Sequence, residues 1–256
     1  MITIKTAEEV EILREAGKRL ARVLNALSKK VAPGVSTAEL DALAEELILK
    51  GKDLPAFKGY TPEGALRPYP STLCASVNNE IVHGIPTENP RILLEGDIIG
   101  LDCGLRHEGL IVDAAVTVSV GAMDVDAEKL VMVTCEALMA GITVAEPGGF
   151  VGDIGAAIEN YVKPFGYGIV RELGGHGVGY QVHEEPHVPN FGKQGTGAEL
   201  VPGMVLAIEP MVNEGTEHII LSDDGYTFKT ADGKRSAHFE HTIVITLDGP
   251  EILTIS

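Results

Sequence analysis

The chain has 256 residues, 45% of them hydrophobic and 22% charged, with a formal net charge of −17 and a pI of about 4.8. That length suits one large domain or two small ones. The acidic balance argues against a sequence-independent grip on nucleic acid, which needs clustered Lys and Arg; the basic runs are as short as Ser28-Lys29-Lys30 and Lys234-Arg235. No apolar run reaches the roughly 18 residues of a membrane span, and "MITIKTAEEVEIL" lacks the pattern of a secretory signal. The three cysteines, Cys74, Cys103 and Cys135, are widely spaced. They form neither a disulfide framework nor a zinc-finger pattern, and they suit a reducing cytoplasm.

In chain order, Thr6 followed by Glu9 is a capping-box pattern, and Val10, Leu13, Gly17, Leu20, Val23, Leu24 and Leu27 keep a helical stripe. Together they predict a helix from about Ala7 to Lys30, broken by Pro33-Gly34. Ser36 with Glu39 makes a second capping box, opening a helix to about Lys50 that Gly51 stops. "DIIGLDCG" and "LIVDAAVTVSV" predict a hairpin across Leu105–Gly109. A third helical pattern covers about Ala127 to Ala140.

After it, "VAEPGGFVGDIGAAIENYV" lays over "VAPGVSTAELDALAEEL". Pro147-Gly148 falls on Pro33-Gly34, Asp153 on Glu39, Ile154 on Leu40 and Ala156 on Ala42. The shared order of helix, Pro-Gly turn, helix and strands favours an internal duplication folded into one α+β unit. "MVLAIEPMV" and "HFEHTIVITL" read as strands near the C-terminus. With no low-complexity tract or long linker, residues 1–256 are expected to form a single domain.

The acids in these strands need an explanation. Asp102 ends one strand of the predicted hairpin and Asp113 lies in the next, although Asp is depleted from strands. Glu209 interrupts "VLAIEPMV". In "RSAHFEHTIVI", alternation sets Ser236, His238, Glu240 and Thr242 on one face. A sheet-edge glutamate reaching water is the plainer account of Glu240. The set taken together points to a cation, because a buried carboxylate is costly unless something positive meets it.

His176 lies in "GGHGVG", which has no helix pattern after it and so makes a poor dinucleotide fingerprint. Several carboxylates with one imidazole form an oxygen-rich set that suits paired Mn, Fe, Co or Zn better than a thiolate-bound structural zinc. His83 and His183 are then left to meet a substrate.

These motifs resemble the type I methionine aminopeptidases of the pita-bread metallopeptidase family. The similarity runs through "PGVSTAELDALAEE", "SVNNEIVHGIP", "GDIIGLDCG", "IVDAAVTV", "GGHGVG", "HEEPHVPN", "PGMVLAIEP" and "SAHFEHTIVIT". The order Asp, Asp, His, Glu, Glu with gaps of 11, 63, 33 and 31 residues is highly specific.

The resemblance implies a fold of two pseudo-symmetric halves around a curved antiparallel sheet, and two divalent ions. Asp102 would ligate one ion, Asp113 and Glu240 would bridge both, and His176 and Glu209 would complete the other shell. A bridging water or hydroxide would attack the first peptide bond while the substrate amine sits on a metal. Glu209 would shuttle the proton, His183 would bond the oxyanion, and His83 would contact the scissile nitrogen. Asn78 and Ser236 match positions that help bind a monovalent cation in some relatives.

Tyr69 and Cys74 match the family's methionine pocket. Val182 stands where phenylalanine is usual, Leu66 where tyrosine is common, and Tyr226 where tryptophan is common, which bears on how strictly methionine is selected. The resemblance further implies a cytoplasmic monomer of the minimal form, acting on the N-terminal peptides of nascent proteins and meeting the ribosome transiently. The alternatives are a proline-specific (Xaa-Pro) peptidase of the same fold and a catalytically silent binding protein. The first usually carries an extra N-terminal domain, and the second typically loses ligands that are all present here.

Overall fold

The computed structural model describes residues 2–255. Its helices are α1 (Ala7–Lys30), α2 (Thr37–Lys50), α3 (Val125–Thr143) and α4 (Val151–Val162). The capping box of α1 forms: Glu9 N–H donates to Thr6 Oγ1 at 3.3 Å and Thr6 N–H to Glu9 Oε2 at 2.8 Å. Ser36 caps α2 through Ala38 N–H at 3.3 Å, without the box that Glu39 suggested. Helix α3 is longer at both ends than its apolar pattern, with Asp124 accepting from Ala127 N–H at 2.8 Å as its N-cap.

The strands are β1 (Leu54–Pro55), β2 (Leu73–Val77), β3 (Glu80–Val82), β4 (Ile98–His107), β5 (Leu110–Ser119), β6 (Gly168–Ile169), β7 (Gly174–Gly177), β8 (Glu184–Pro189), β9 (Val205–Ile208), β10 (Met211–Asn213), β11 (Ile219–Leu221), β12 (Phe228–Thr230), β13 (Ser236–His238), β14 (Glu240–Thr246) and β15 (Gly249–Ile252). A nine-stranded antiparallel sheet runs β1-β4-β5-β14-β9-β7-β8, with β2 beside β4 and β15 beside β14. Two three-stranded sheets, β13-β10-β6 and β11-β12-β3, complete the α+β architecture. The β4–β5 hairpin is longer than expected and turns at Glu108-Gly109 rather than across Leu105–Gly109.

The two strands expected near the C-terminus are each broken, one at Glu209 and one just before Glu240. Val205–Ile208 and Met211–Asn213 are separated by Glu209-Pro210, and Ser236–His238 and Glu240–Thr246 by Phe239. Both segments change sheets at the same level, because β9 pairs with β14 in the large sheet while β10 pairs with β13 in a small one. Phe239 N–H reaches Pro210 O at 3.5 Å across the joint. Alternation alone cannot show such a crossing, since the pleat continues through it.

The duplication expected from the sequence is visible in backbone bonds. Gly34 and Gly148, both with positive φ as their turns require, donate to Leu93 O and Leu200 O, each at 2.8 Å. Gly96 N–H meets Val120 O at 2.9 Å and Gly203 N–H meets Ile245 O at 2.8 Å. Counting equally from these points, Asp102 on β4 corresponds to Glu209 after β9.

A second correspondence crosses the β5–β14 seam. Thr117 Oγ1 donates to His238 O at 2.8 Å and accepts from His238 N–H at 2.9 Å. Thr242 Oγ1 donates to Asp113 O at 2.7 Å and accepts from Asp113 N–H at 2.9 Å. Asp113 and His238 therefore occupy equivalent places.

Each half has its own core. Leu13, Leu20 and Leu27 of α1 and Leu40 and Ile48 of α2 pack with Leu101, Leu105 and Val112. Leu130 and Val133 of α3 and Ile154 and Ile158 of α4 pack with Leu206, Ile208 and Ile243. Burial of these apolar side chains, worth roughly 1.5–3 kcal/mol each, fixes the strands whose polar side chains converge between the halves.

Candidate metal centre

Asp102, Asp113, His176, Glu209 and Glu240 all line one cleft with about 590 Å³ of space open to solvent. Each comes from a different strand or strand end. Asp102 and Asp113 are brought together by the β4–β5 hairpin, whose register sets Asp102 opposite Ala115. Glu240, at the start of β14, also lies opposite Ala115, and His176 on β7 lies opposite Ala207 of β9. Small residues at these crossings leave the room that the acids fill. Gly175 serves the same close approach, since a Cβ there would stand 2.2 Å from Ala207 O.

One ligand atom each from Asp113, His176 and Glu240 lies within 4.8 Å of the others. Among the described residues, the buried atoms Asp102 Oδ1, Asp113 Oδ1 and Glu240 Oε1 have no hydrogen-bond partner. Native proteins rarely leave buried polar atoms so.

Burial and mutual repulsion raise the affinity of these acids for protons. Burial pushes Asp113 up to about 7. Burial first, then Asp113, raises Asp102 well above the ordinary range. Burial followed by the neighbouring acids does the same for Glu209 and Glu240.

His176 makes the case for a cation sharper. Its Nδ1 lies 2.9 Å from Gly177 O, which can only accept, so Nδ1 carries the proton and Nε2 presents a lone pair. That Nε2 stands 3.4 Å from Glu209 Oε1, a lone pair against a carboxylate oxygen that only a proton or a cation between them reconciles. Burial lowers the His176 pKa to about 3, so the ring does not become a cation to relieve the contact. A divalent metal fits this donor set.

His83 and His183 line the same cleft. His83 has a positive φ of 61° and a pKa lowered to about 4, by burial first and by His183 second. Thr227 Oγ1 donates to its carbonyl at 3.3 Å. His183 stands at the exposed mouth, with its ring against His176 at a centroid distance of 4.5 Å and against Tyr60 at 5.3 Å. The desolvation of that ring lowers its pKa. The Tyr60 hydroxyl lies 3.0 Å from its Nδ1.

Tyr69, Cys74, Val182 and Tyr226 form the apolar side of the cleft with Phe57. Tyr69 and Tyr226 meet edge to face at 5.2 Å. The Tyr69 hydroxyl lies 2.8 Å from Gly84 O, beside the His83 turn.

Leu66 does not join them. It is fully exposed, and the same loop instead sends Tyr60 and Pro62 to the cleft. Asn78 and Ser236 are neighbours, with Ser236 N–H donating to Asn78 O at 2.9 Å, but the Asn78 side chain is committed to Asp97 and Ile98.

Sequence reasoning missed Phe57, Tyr60 and Pro62, which lie in an irregular segment, and placed His238 on the Glu240 face without giving it a role. Its Nε2 is buried, lies 3.5 Å from Glu209 Oε2 and has no hydrogen-bond partner among the described residues.

Comparison with known proteins identifies the family. The metallopeptidase family M24 profile matches residues 11–247. A methionine aminopeptidase of Clostridium perfringens is 47% identical over 255 residues, covering 100% of this chain and 99% of that protein. The crystal structure of a methionine aminopeptidase from Thermotoga maritima superposes with a TM-score of 0.95 at 44% identity, covering 100% of both chains. A prolidase from Pyrococcus furiosus shares the fold alone, with a TM-score of 0.76 at 23% identity, 99% of this chain and 65% of that one. The chain belongs to metallopeptidase family M24, with its pita-bread fold, and within that family to the methionine aminopeptidases.

Proposed function

We propose, from that membership, that the chain is a single catalytic domain over residues 1–256. It removes the N-terminal methionine from nascent proteins, preferring a small second residue. Its cofactor in this reading is a pair of divalent ions drawn from Mn, Fe, Co or Zn. Asp102, Asp113, His176, Glu209 and Glu240 would hold them, with Asp113 and Glu240 shared. The observation that carries the reading is the meeting of three buried acids and the half-buried Glu209 with the His176 lone pair in one cleft.

Bound divalent ions at such a centre lower the pKa of a water and polarise a carbonyl. Glu209, whose pKa is raised by burial and then by Asp102 and Asp113, is the carboxylate suited to take a proton from water and pass it toward the leaving amine. His183 is the donor for the oxyanion, and a Tyr60 hydroxyl donating to Nδ1 leaves Nε2–H for that task. His83, held neutral by burial, meets the scissile nitrogen. Tyr69, Cys74, Val182 and Tyr226 form a compact apolar wall for a thioether side chain.

A monovalent cation beside Asn78 and Ser236 belongs to the same reading. So do a monomeric state, a cytoplasmic location and transient contact with the ribosome. No helix among the described residues is long and apolar enough to cross a membrane. The Xaa-Pro peptidase alternative has only a likeness of fold behind it, and an intact ligand set argues against a silent binding protein.

The test is turnover of Met-Ala-Ser, Leu-Ala-Ser and Gly-Pro peptides after anaerobic loading with Mn, Fe, Co or Zn, beside a chelated control. Metal-dependent release of methionine alone is expected. Release of leucine as well would mean Val182 has loosened the pocket. Cleavage of Gly-Pro, or silence with every metal, would overturn the assignment.

A further inference from the structure

His238 is 3% exposed and does not line the cleft, so it can reach a substrate only through another residue. Its backbone is held on both sides by Thr117 Oγ1, which donates to His238 O at 2.8 Å and accepts from His238 N–H at 2.9 Å. The ring is thereby aimed at one target. Nε2 lies 3.5 Å from Glu209 Oε2 and has no hydrogen-bond partner among the described residues. The other oxygen, Oε1, faces His176 Nε2 at 3.4 Å.

Each oxygen of Glu209 is thus addressed by its own imidazole, and the two differ in kind. His176 has spent its proton on Gly177 O and presents a lone pair. On His238 no such bond among the described residues claims the proton, so its Nε2 can be the N–H bearer.

We propose that His238 is a positioning residue for Glu209: its Nε2–H donates to Oε2 and turns Oε1 toward the centre shared with His176. This rests on the metal-centre reading above. An orienting partner of this kind removes the rotational freedom of a carboxylate and fixes which oxygen a cation meets. The equivalent place in the other half holds Asp113, itself a proposed ligand. Duplication thus supplies a ligand on one side and a support for a ligand on the other.

The test compares His238→Leu with His238→Gln, whose amide nitrogen falls near the place of Nε2. Affinity for Mn is read by titration calorimetry, and the visible spectrum of the Co-loaded protein reports the shell directly. The expected result is a loss of affinity at one of the two sites of about 10–100-fold in His238→Leu, an altered Co spectrum, and recovery to within a few-fold in His238→Gln. If the Leu variant does not fold, His238→Asn, an amide too short to reach, takes its place.

Wild-type metal affinity and spectrum in His238→Leu, or no recovery in a folded His238→Gln, would overturn the proposal. Wild-type protein that binds no divalent metal at all would instead bring down the metal-centre reading on which it stands. The two failures are told apart by the wild-type titration.

Discussion

Thr242 holds Asp113 by both ends of its peptide group, donating to its carbonyl at 2.7 Å and accepting from its N–H at 2.9 Å. Both residues are buried. Thr242→Val keeps the shape and strands two backbone groups without partners, at a cost of about 1–3 kcal/mol for each group left unsatisfied. Thr117→Val does the same to His238. Urea denaturation should show comparable losses for the two variants; a change under 0.5 kcal/mol in roughly neutral surface fashion in either would mean the seam is not held this way.

Asp113→Asn should separate stability from function. In excess chelator at pH 8 the acids crowd together, and Asp113 itself titrates at about 7 because it is buried. Its native pKa lies above the unfolded value, so the stability it contributes is full at low pH and lost as pH rises through about 7. The amide removes that charge, and the chelated variant should melt above chelated wild type, by about 2–4 °C for each kcal/mol relieved. With Mn present the order should reverse, as wild type gains from binding and the variant loses both the second ion and turnover. Glu240→Ala should lose the same two properties. Near-normal activity in either would remove the bridging assignment.

His83 titrates in the opposite sense. Its native pKa of about 4 lies below the ordinary histidine value, so its contribution is full above pH 6.5 and lost as pH falls toward 4. The full difference is roughly 3 kcal/mol. His83→Asn is the natural comparison, since asparagine tolerates the positive φ at this position. The stability of wild type relative to this variant should decline between pH 7 and pH 4, and the His83 ring resonances should remain those of a neutral imidazole at pH 5.5. Turnover should fall in the variant while metal content stays intact. A pH-independent difference would mean that the ring is not desolvated as its surroundings imply.

Lys5 buries its ammonium against Glu184, 2.7 Å from Oε2, next to the residue that stands at the cleft mouth. Burial lowers the Lys5 pKa. Lys5→Met leaves Glu184 without its cation, which costs about 3–5 kcal/mol for a buried pair. The double variant Lys5→Met, Glu184→Met should recover much of that loss. Because Glu184 adjoins His183 and accepts from Gln181 N–H at 2.9 Å, the single variant should also raise KM. Equal stability of the single and double variants would show that the charge is not what matters.

Much of this was legible in the chain. The α1 bounds, the Pro-Gly correspondence and the four acids and one imidazole of the centre all follow from local pattern and charge. What the pattern could not show is geometry between distant segments. The breaks at Glu209-Pro210 and Phe239 follow from pairing with two different sheets. Leu66 and Tyr60 lie in an irregular segment between β1 and β2, where no periodicity says which side chain turns inward. His238 reads as one more residue of an alternating strand until the distance to Glu209 is known.

The equivalence of Asp113 and His238 has an evolutionary meaning. If two identical half-length chains built this cleft as a symmetric dimer, every group in it would appear twice, and a change at one place would be forced on its mate. Joining the halves in one polypeptide lifts that constraint, so an acid can stand on one side of the axis and an imidazole on the other. A peptide entering from one end and cut at one bond has no twofold symmetry of its own. The covalent link between the halves is what lets the cleft match it.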